Sequence, residues 1–370
     1  MRNLSKGKTL SLVASGIILS STMAFGANTI DEAFKEGTVS GALGVYGVKV
    51  DAKDNNADSG YGNANATVAF ETASIYGISA KAEFKGNLDL GEVENNDREN
   101  GAPFENNSLM TEAYLKYATE GFSLTAGRQA IDLEWLGDYN EAVVASITAI
   151  QDTTVVLGFT SRKAESGIDL SEDFSDINGD KGVYVFDAKY AGLEGVEFNP
   201  YAYRAPDVAD WYGLKTTFNA DNFGVVAHYA LSSEDTQDDG SIGHLELNGN
   251  IENLSAAVGY IKTDKDVGAG NIAEYGDNIS PFEEGEKVYN PNAKTTYASI
   301  GYTIADVELG ALYGETKYED EYKEKELNLS AAYSITGSLG ASILYADIKV
   351  DKDNGDFDYN KVLASVEYTF

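Results

Sequence analysis

Eighteen short stretches of this chain alternate apolar and polar residues with a period of two. Long acidic loops and tight turns take turns connecting them. The last stretch runs to Phe370. Successive side chains of a strand point to opposite faces, so this pattern describes strands with one apolar and one polar face. Backbone polar groups in a bilayer must be paired internally, which leaves helices and closed barrels as spanning structures. No apolar run of ~18 or more residues follows residue 26, so a helical solution is excluded. The expected fold is all-β: a transmembrane antiparallel barrel of 18 strands over residues 39–370.

The strands are expected at 39–50, 61–73, 76–88, 109–119, 122–131, 142–150, 153–161, 182–190, 196–203, 210–218, 223–232, 243–252, 254–262, 295–304, 307–318, 324–334, 338–350 and 359–370. The last is the clearest. Val362, Ala364, Val366, Tyr368 and Phe370 share one face, and Lys361, Ser365, Glu367 and Thr369 share the other. Strands 39–50 and 142–150 alternate poorly. The short connectors are 74–75, 120–121, 151–152, 191–195, 219–222, 253, 305–306 and 335–337. The long ones are 51–60, 89–108, 132–141, 162–181, 204–209, 233–242, 263–294, 319–323 and 351–358. Short periplasmic turns and long extracellular loops are the rule for outer-membrane barrels, and an even strand number puts both termini in the periplasm. A solenoid would need a fixed repeat, and a sandwich would not need one connector class longer than the other.

Residues 1–26 read as a secretory signal. Arg2, Lys6 and Lys8 form a basic start, Leu10–Ser20 is a short apolar core, and Ala24-Phe25-Gly26 is a small-residue cleavage site, with cleavage after Gly26 or Ala27. Residues 27–38 are expected to be a short periplasmic segment with a helix over 29–36, capped by Thr29 and ended by Gly37. Without the signal the chain keeps 24 basic residues against 60 acids, a charge of about −36. Such a balance excludes nucleic acid as a partner. The nine long loops hold 38 acids and 11 bases, so most of the charge falls at the outer mouth. A negative vestibule concentrates cations.

The chain resembles bacterial outer-membrane porins of the Opr or major-outer-membrane-protein type. The resemblance rests on Asp31-Glu32-Ala33-Phe34-Lys35-Glu36-Gly37 leading to Ser40-Gly41. It rests also on Gly127-Arg128-Gln129 leading to Asp132-Leu133-Glu134-Trp135-Leu136-Gly137-Asp138, and on the final strand ending in Phe370. It implies an 18-stranded channel for small hydrophilic solutes in the outer membrane of a Gram-negative bacterium, assembled as a homotrimer among lipid and lipopolysaccharide. It implies that Val366, Tyr368 and Phe370 are read by the barrel-assembly machinery. It also implies that loop 132–141 folds inward, placing Asp132, Glu134, Asp138 and Glu141 at a constriction.

Period two points Lys81, Glu83, Lys85, Glu112, Lys116, Lys189, Glu197, Lys215 and Lys361 into the lumen. A basic wall facing an acidic loop would set a transverse field across the pore. Arg128 departs from the pattern, because alternation from Phe122, Leu124 and Ala126 sends it toward lipid, at a cost of about 2–4 kcal/mol at the midplane. Either Gly127 marks a bulge that turns Arg128 inward, as the resemblance favours, or the side chain snorkels. Asp176, Asn178 and Asp180 have the spacing that opens a calcium loop, but the glycine comes at 182 rather than directly after Asp180. Calcium in the acidic loops is the one cofactor considered, and none is required. His228 and His244 face the lumen with no nucleophile pattern beside them, so an enzyme is not expected. The competing readings are a channel preferring small cationic or zwitterionic nutrients, and an adhesin using loops 162–181 and 263–294.

Overall fold

The computed structural model describes residues 26–53, 56–101, 104–274, 279–319, 322–351 and 356–370, so the signal segment through residue 25 lies outside the described residues. The strands are β1 (Thr38–Ala52), β2 (Ser59–Glu71), β3 (Ile78–Glu92), β4 (Ser108–Thr119), β5 (Phe122–Ala130), β6 (Tyr139–Ile147), β7 (Thr153–Ala164), a two-residue β8 (Ser175–Asp176) and β9 (Val183–Leu193). They continue as β10 (Val196–Ala205), β11 (Ala209–Asn219), β12 (Phe223–Glu234), β13 (Gly240–Ile251), β14 (Leu254–Thr263), β15 (Lys294–Ile304), β16 (Val307–Tyr318), β17 (Tyr322–Ser334), β18 (Leu339–Val350) and β19 (Tyr359–Thr369).

Every neighbouring pair is antiparallel, β7 pairs directly with β9, and β1 pairs with both β2 and β19. The result is a closed wall of 18 strands, with β8 as an extra rung on the top of β7. Closure leaves the wall no unpaired edge. Gly41 and Phe370 complete the seam with reciprocal backbone hydrogen bonds of 3.0 Å. Pro200 in β10 has no N–H to give; beside it the Asn199 side chain donates to the Ala188 carbonyl at 3.0 Å, where the β9–β10 ladder is interrupted.

The alternation places the faces as the sequence requires. Leu247, Val258 and Ile300 are all more than half exposed on the outer surface, whereas Ile242, Ile261 and Thr295 on the opposite face are fully buried. Such an apolar outer belt suits lipid. Below the barrel, α1 (Ile30–Lys35) is capped by Thr29, whose Oγ1 accepts from the Glu32 N–H at 3.2 Å. The Ala33 carbonyl accepts from the Ala73 N–H, and Phe34 stacks on Phe70, so the helix is tied to the β2–β3 turn.

Strands extend further than alternation indicated. Connectors 204–209 and 319–323 contract to 206–208 and 319–321, so the long–short contrast is carried mainly by 93–107, 165–182 and 264–293. The β6 boundary also moves: the strand spans Tyr139–Ile147 rather than 142–150, which takes Glu141 out of the connector and into β6. Polar Asn140 and Glu141 disguise its start.

Candidate functional site: loops inside the lumen

The upper half of the barrel is filled from within by chain that leaves the wall. The β5–β6 hairpin does so first. The β4–β5 ladder stops at Ala113–Arg128, and above it the Ala130 N–H turns to the Glu112 carboxylate. Gly127 at the departure point has φ +126°, and a Cβ there would lie 2.2 Å from the Ala113 carbonyl oxygen. The hairpin top leans over the inner face of β3–β4, where the Tyr139 hydroxyl reaches Glu83 and Lys85. The lean accounts for Arg128. Its side of the strand, turned away from the lumen by alternation, meets protein instead of lipid. Arg128 Nε donates to Glu141 at 2.9 Å, Nη1 donates to the Met110 carbonyl, and the guanidinium lies 4.2 Å from the centre of the Phe174 ring.

The connector 131–138 then reaches the inner face of β10–β12. Trp135 is fully buried, its Nε1 donates to Tyr201 Oη at 2.6 Å, and that hydroxyl lies 2.7 Å from His228 Nε2. Glu134 pairs with Lys215 at 2.7 Å, Asp138 with Lys163 at 3.1 Å, and Glu141 with both Arg128 and Arg162; Asp132 is exposed. His244 is directly opposite His228 in the β12–β13 register and contacts Tyr297 Oη at 2.8 Å.

Two longer loops enter as well. The Asn63 and Asn65 amides of β2 donate to the carbonyls of Ile168 and Gly167, Tyr61 donates to the Asp169 carbonyl, and Lys85 donates to the Ser166 carbonyl at 2.6 Å. Loop 165–182 thus crosses from β7 to the β1–β3 wall. It is held there by loop 93–107, whose Glu105 N–H donates to the Ser171 carbonyl. Loop 264–293 docks from the other side. Glu283 and Glu284 accept from Lys361 at 3.1 and 2.6 Å, and Tyr359 donates to Glu284. The Glu284 and Gly285 N–H groups donate to Glu326, while Lys287 pairs with Asp356. Burial pushes the Glu283 carboxyl up to about 7, against the downward pull of Lys361. Ile168 and Leu170 of loop 165–182 pack against the cluster that contains Tyr46 of β1.

Among the residues expected at the constriction, Lys81 forms an ion pair with Glu112 and lies 3.6 Å from Glu83, Lys85 is buried under loop 165–182, and Lys116 is half-buried on the same face of β4 as Glu112. The Asp176, Asn178 and Asp180 groups diverge. Asp176 meets Arg162, and the Asn178 amide donates to the Gly182 and Pro206 carbonyls. Among the described residues no cluster of three or more His or acidic groups is placed to hold a metal. Two features escaped sequence reasoning, namely the inward course of loops 165–182 and 264–293. Their trace in the sequence is the apolar set Ile168, Leu170, Ile272, Phe282 and Val288, out of place in a solvated acidic loop; Ile272 and Val288 are fully buried.

OccAB4 of Acinetobacter baumannii matches over 90% of this chain and 99% of its own, with a TM-score of 0.73 at 15% identity. OccAB1 of the same organism matches over 94% and 99%, with a TM-score of 0.74 at 12% identity. The fold is that of the outer-membrane porins of the Occ and Opd type. OpdQ of Pseudomonas aeruginosa shares the porin fold over 92% of this chain and 99% of its own, with a TM-score of 0.72 at 15% identity. No protein-family model and no curated protein sequence matches the chain.

Proposed function

We propose that this barrel is an outer-membrane channel for passive diffusion of ions and small hydrophilic solutes, that it prefers cations, and that its eyelet is set by loops 131–138, 165–182 and 264–293. The leader ending at Gly26 or Ala27 would carry it across the inner membrane. Val366, Tyr368 and Phe370, all exposed on the outer face, would serve its assembly.

One observation carries the preference. Acids outnumber bases in three ion clusters inside the barrel: Lys361 meets Glu283 and Glu284, Lys81 meets Glu83 and Glu112, and Lys163 meets Asp138 and Glu165, while Lys215–Glu134 and Lys287–Asp356 are balanced. Glu141 is held by two arginines, of which Arg162 also meets Asp176, so that cluster is balanced as well. A lumen with surplus carboxylate favours cations at close quarters. Adhesion fits the same loops less well, because 165–182 and 264–293 spend their apolar residues inside the wall. Reversal potentials across a KCl gradient are expected to show cation preference, and a clear anion preference would overturn the reading.

A further inference from the structure

On the outer face of the barrel, at the long-loop end, four lysines stand in one line across four strands. Lys262 of β14 is directly opposite Lys294 of β15, Lys294 is opposite Lys317 of β16, and Lys317 is opposite Lys323 of β17. Lys325 and Lys349 form a further like-charged pair beside them. Alternation fixes their direction: Thr295 and Thr316, next to Lys294 and Lys317, are buried and bonded to each other inside, while Tyr260 and Tyr313 on the lysine face are exposed. Like charges directly opposite on a sheet repel and destabilise it.

The chain has only 27 basic residues against 60 acids, so chance crowding is a poor account of this line. Neighbouring acids only partly offset it. Glu315 lies 3.5 and 3.6 Å from Lys317 and Lys325, and Asp347 lies 3.1 Å from Lys349. Among the described residues, Lys262, Lys294 and Lys323 have no carboxylate at ion-pair distance. Beside Lys262 the outer surface is indented by a groove of about 700 Å³ lined by Tyr212, Leu214, Tyr229, Leu245 and Tyr260.

We propose that this ladder is a binding site for the phosphate groups of lipopolysaccharide, with an acyl chain lying in the groove beneath. The assignment rests on the long loops facing outward, as in the proposed function. It commits to a phosphorylated glycolipid because the lysines and an apolar groove adjoin on one lipid-facing surface. A free phosphate would satisfy only the lysines.

The test uses the full barrel in detergent with purified lipopolysaccharide, beside a Lys262→Gln/Lys294→Gln/Lys317→Gln/Lys323→Gln variant. The variant lacks four positive charges on this surface and is expected to bind at least about tenfold more weakly. Dephosphorylated lipopolysaccharide should bind the unaltered barrel as weakly as the variant binds the intact glycolipid, and millimolar inorganic phosphate should not compete. Equal binding by both proteins would overturn the proposal, as would equal binding of the dephosphorylated glycolipid or displacement by inorganic phosphate. Single-channel conductance of the variant should be unchanged, which also shows that it folds. An unaltered barrel that binds the glycolipid but conducts no ions would sink the channel reading and leave this site standing.

Discussion

Replacing Lys361 by methionine is expected to enlarge the single-channel conductance severalfold at pH 8 and to return it toward the starting value at pH 5. Lys361 is shared by Glu283 and Glu284 at the tip of loop 264–293. Removing one member of a buried pair leaves the other charge unpaired, at a cost of about 3–5 kcal/mol. The cost falls on the docked loop, because undocking returns both carboxylates to water while the wall stays closed.

The pH dependence has a definite sign. Glu283 docked has its carboxyl raised to about 7 from an ordinary value of 4.5. The docked state therefore binds the proton more tightly. That contribution is complete below about 4.5 and is lost as pH rises through 7. Acid should re-dock the loop in the variant and narrow the unaltered channel to a smaller degree over the same range. Bilayer recordings at the two pH values check both arms. A variant with unchanged conductance at pH 8 would remove loop 264–293 from the eyelet.

The second large effect is on folding. Gly127→Val should abolish assembly of the barrel, measured as loss of the heat-modifiable folded species on gels. Any side chain there is strained at φ +126°, and the new Cβ would overlap the Ala113 carbonyl oxygen at 2.2 Å and approach Tyr114 Cα at 2.9 Å. These are backbone atoms on the adjacent strand, so they cannot turn aside as a flexible side chain would. A strained backbone alone costs about 1–3 kcal/mol, and the overlap adds to it. Gly137→Ala, where a Cβ meets nothing within 4 Å, should assemble normally. If Gly127→Val assembled as well as Gly137→Ala, the departure of the β5–β6 hairpin from the wall would not depend on this residue.

The sequence made the wall legible because lipid on one side and a polar lumen on the other impose a period of two. Lys361 and Phe370 could be assigned to opposite faces of the last strand with no further information. The same rule gave no account of Arg128, because it assumes that whatever lies outside the wall is lipid. Once the hairpin leaves the wall, the two faces of β5 both meet protein, and alternation no longer tells polar from apolar surroundings. The eyelet was partly legible. Glu134 and Trp135 were found through the loop that carries them, whereas Asp169, Glu283 and Glu284 sit in loops whose acidity suggested open water. What draws those loops inward is a handful of apolar residues without periodicity, packed against partners such as Tyr46 and Tyr297 that are far away in the chain.

The seam between β1 and β19 has a bearing on how the molecule comes to exist at all. Gly41 bonds to Phe370, and a Cβ at Gly41 would press on the Phe370 ring at 2.7 Å and on the Thr67 carbonyl oxygen at 2.3 Å. The two edges that must meet are the first and last strands made, so no partial chain can satisfy them. Contacts at such sequence separation form slowly, because the whole intervening chain must be ordered first. Until they form, both edges stay open to pairing with another chain. The nascent protein therefore travels as an adhesive ribbon with two free ends, and becomes a self-sufficient object only when residue 370 finds residue 41.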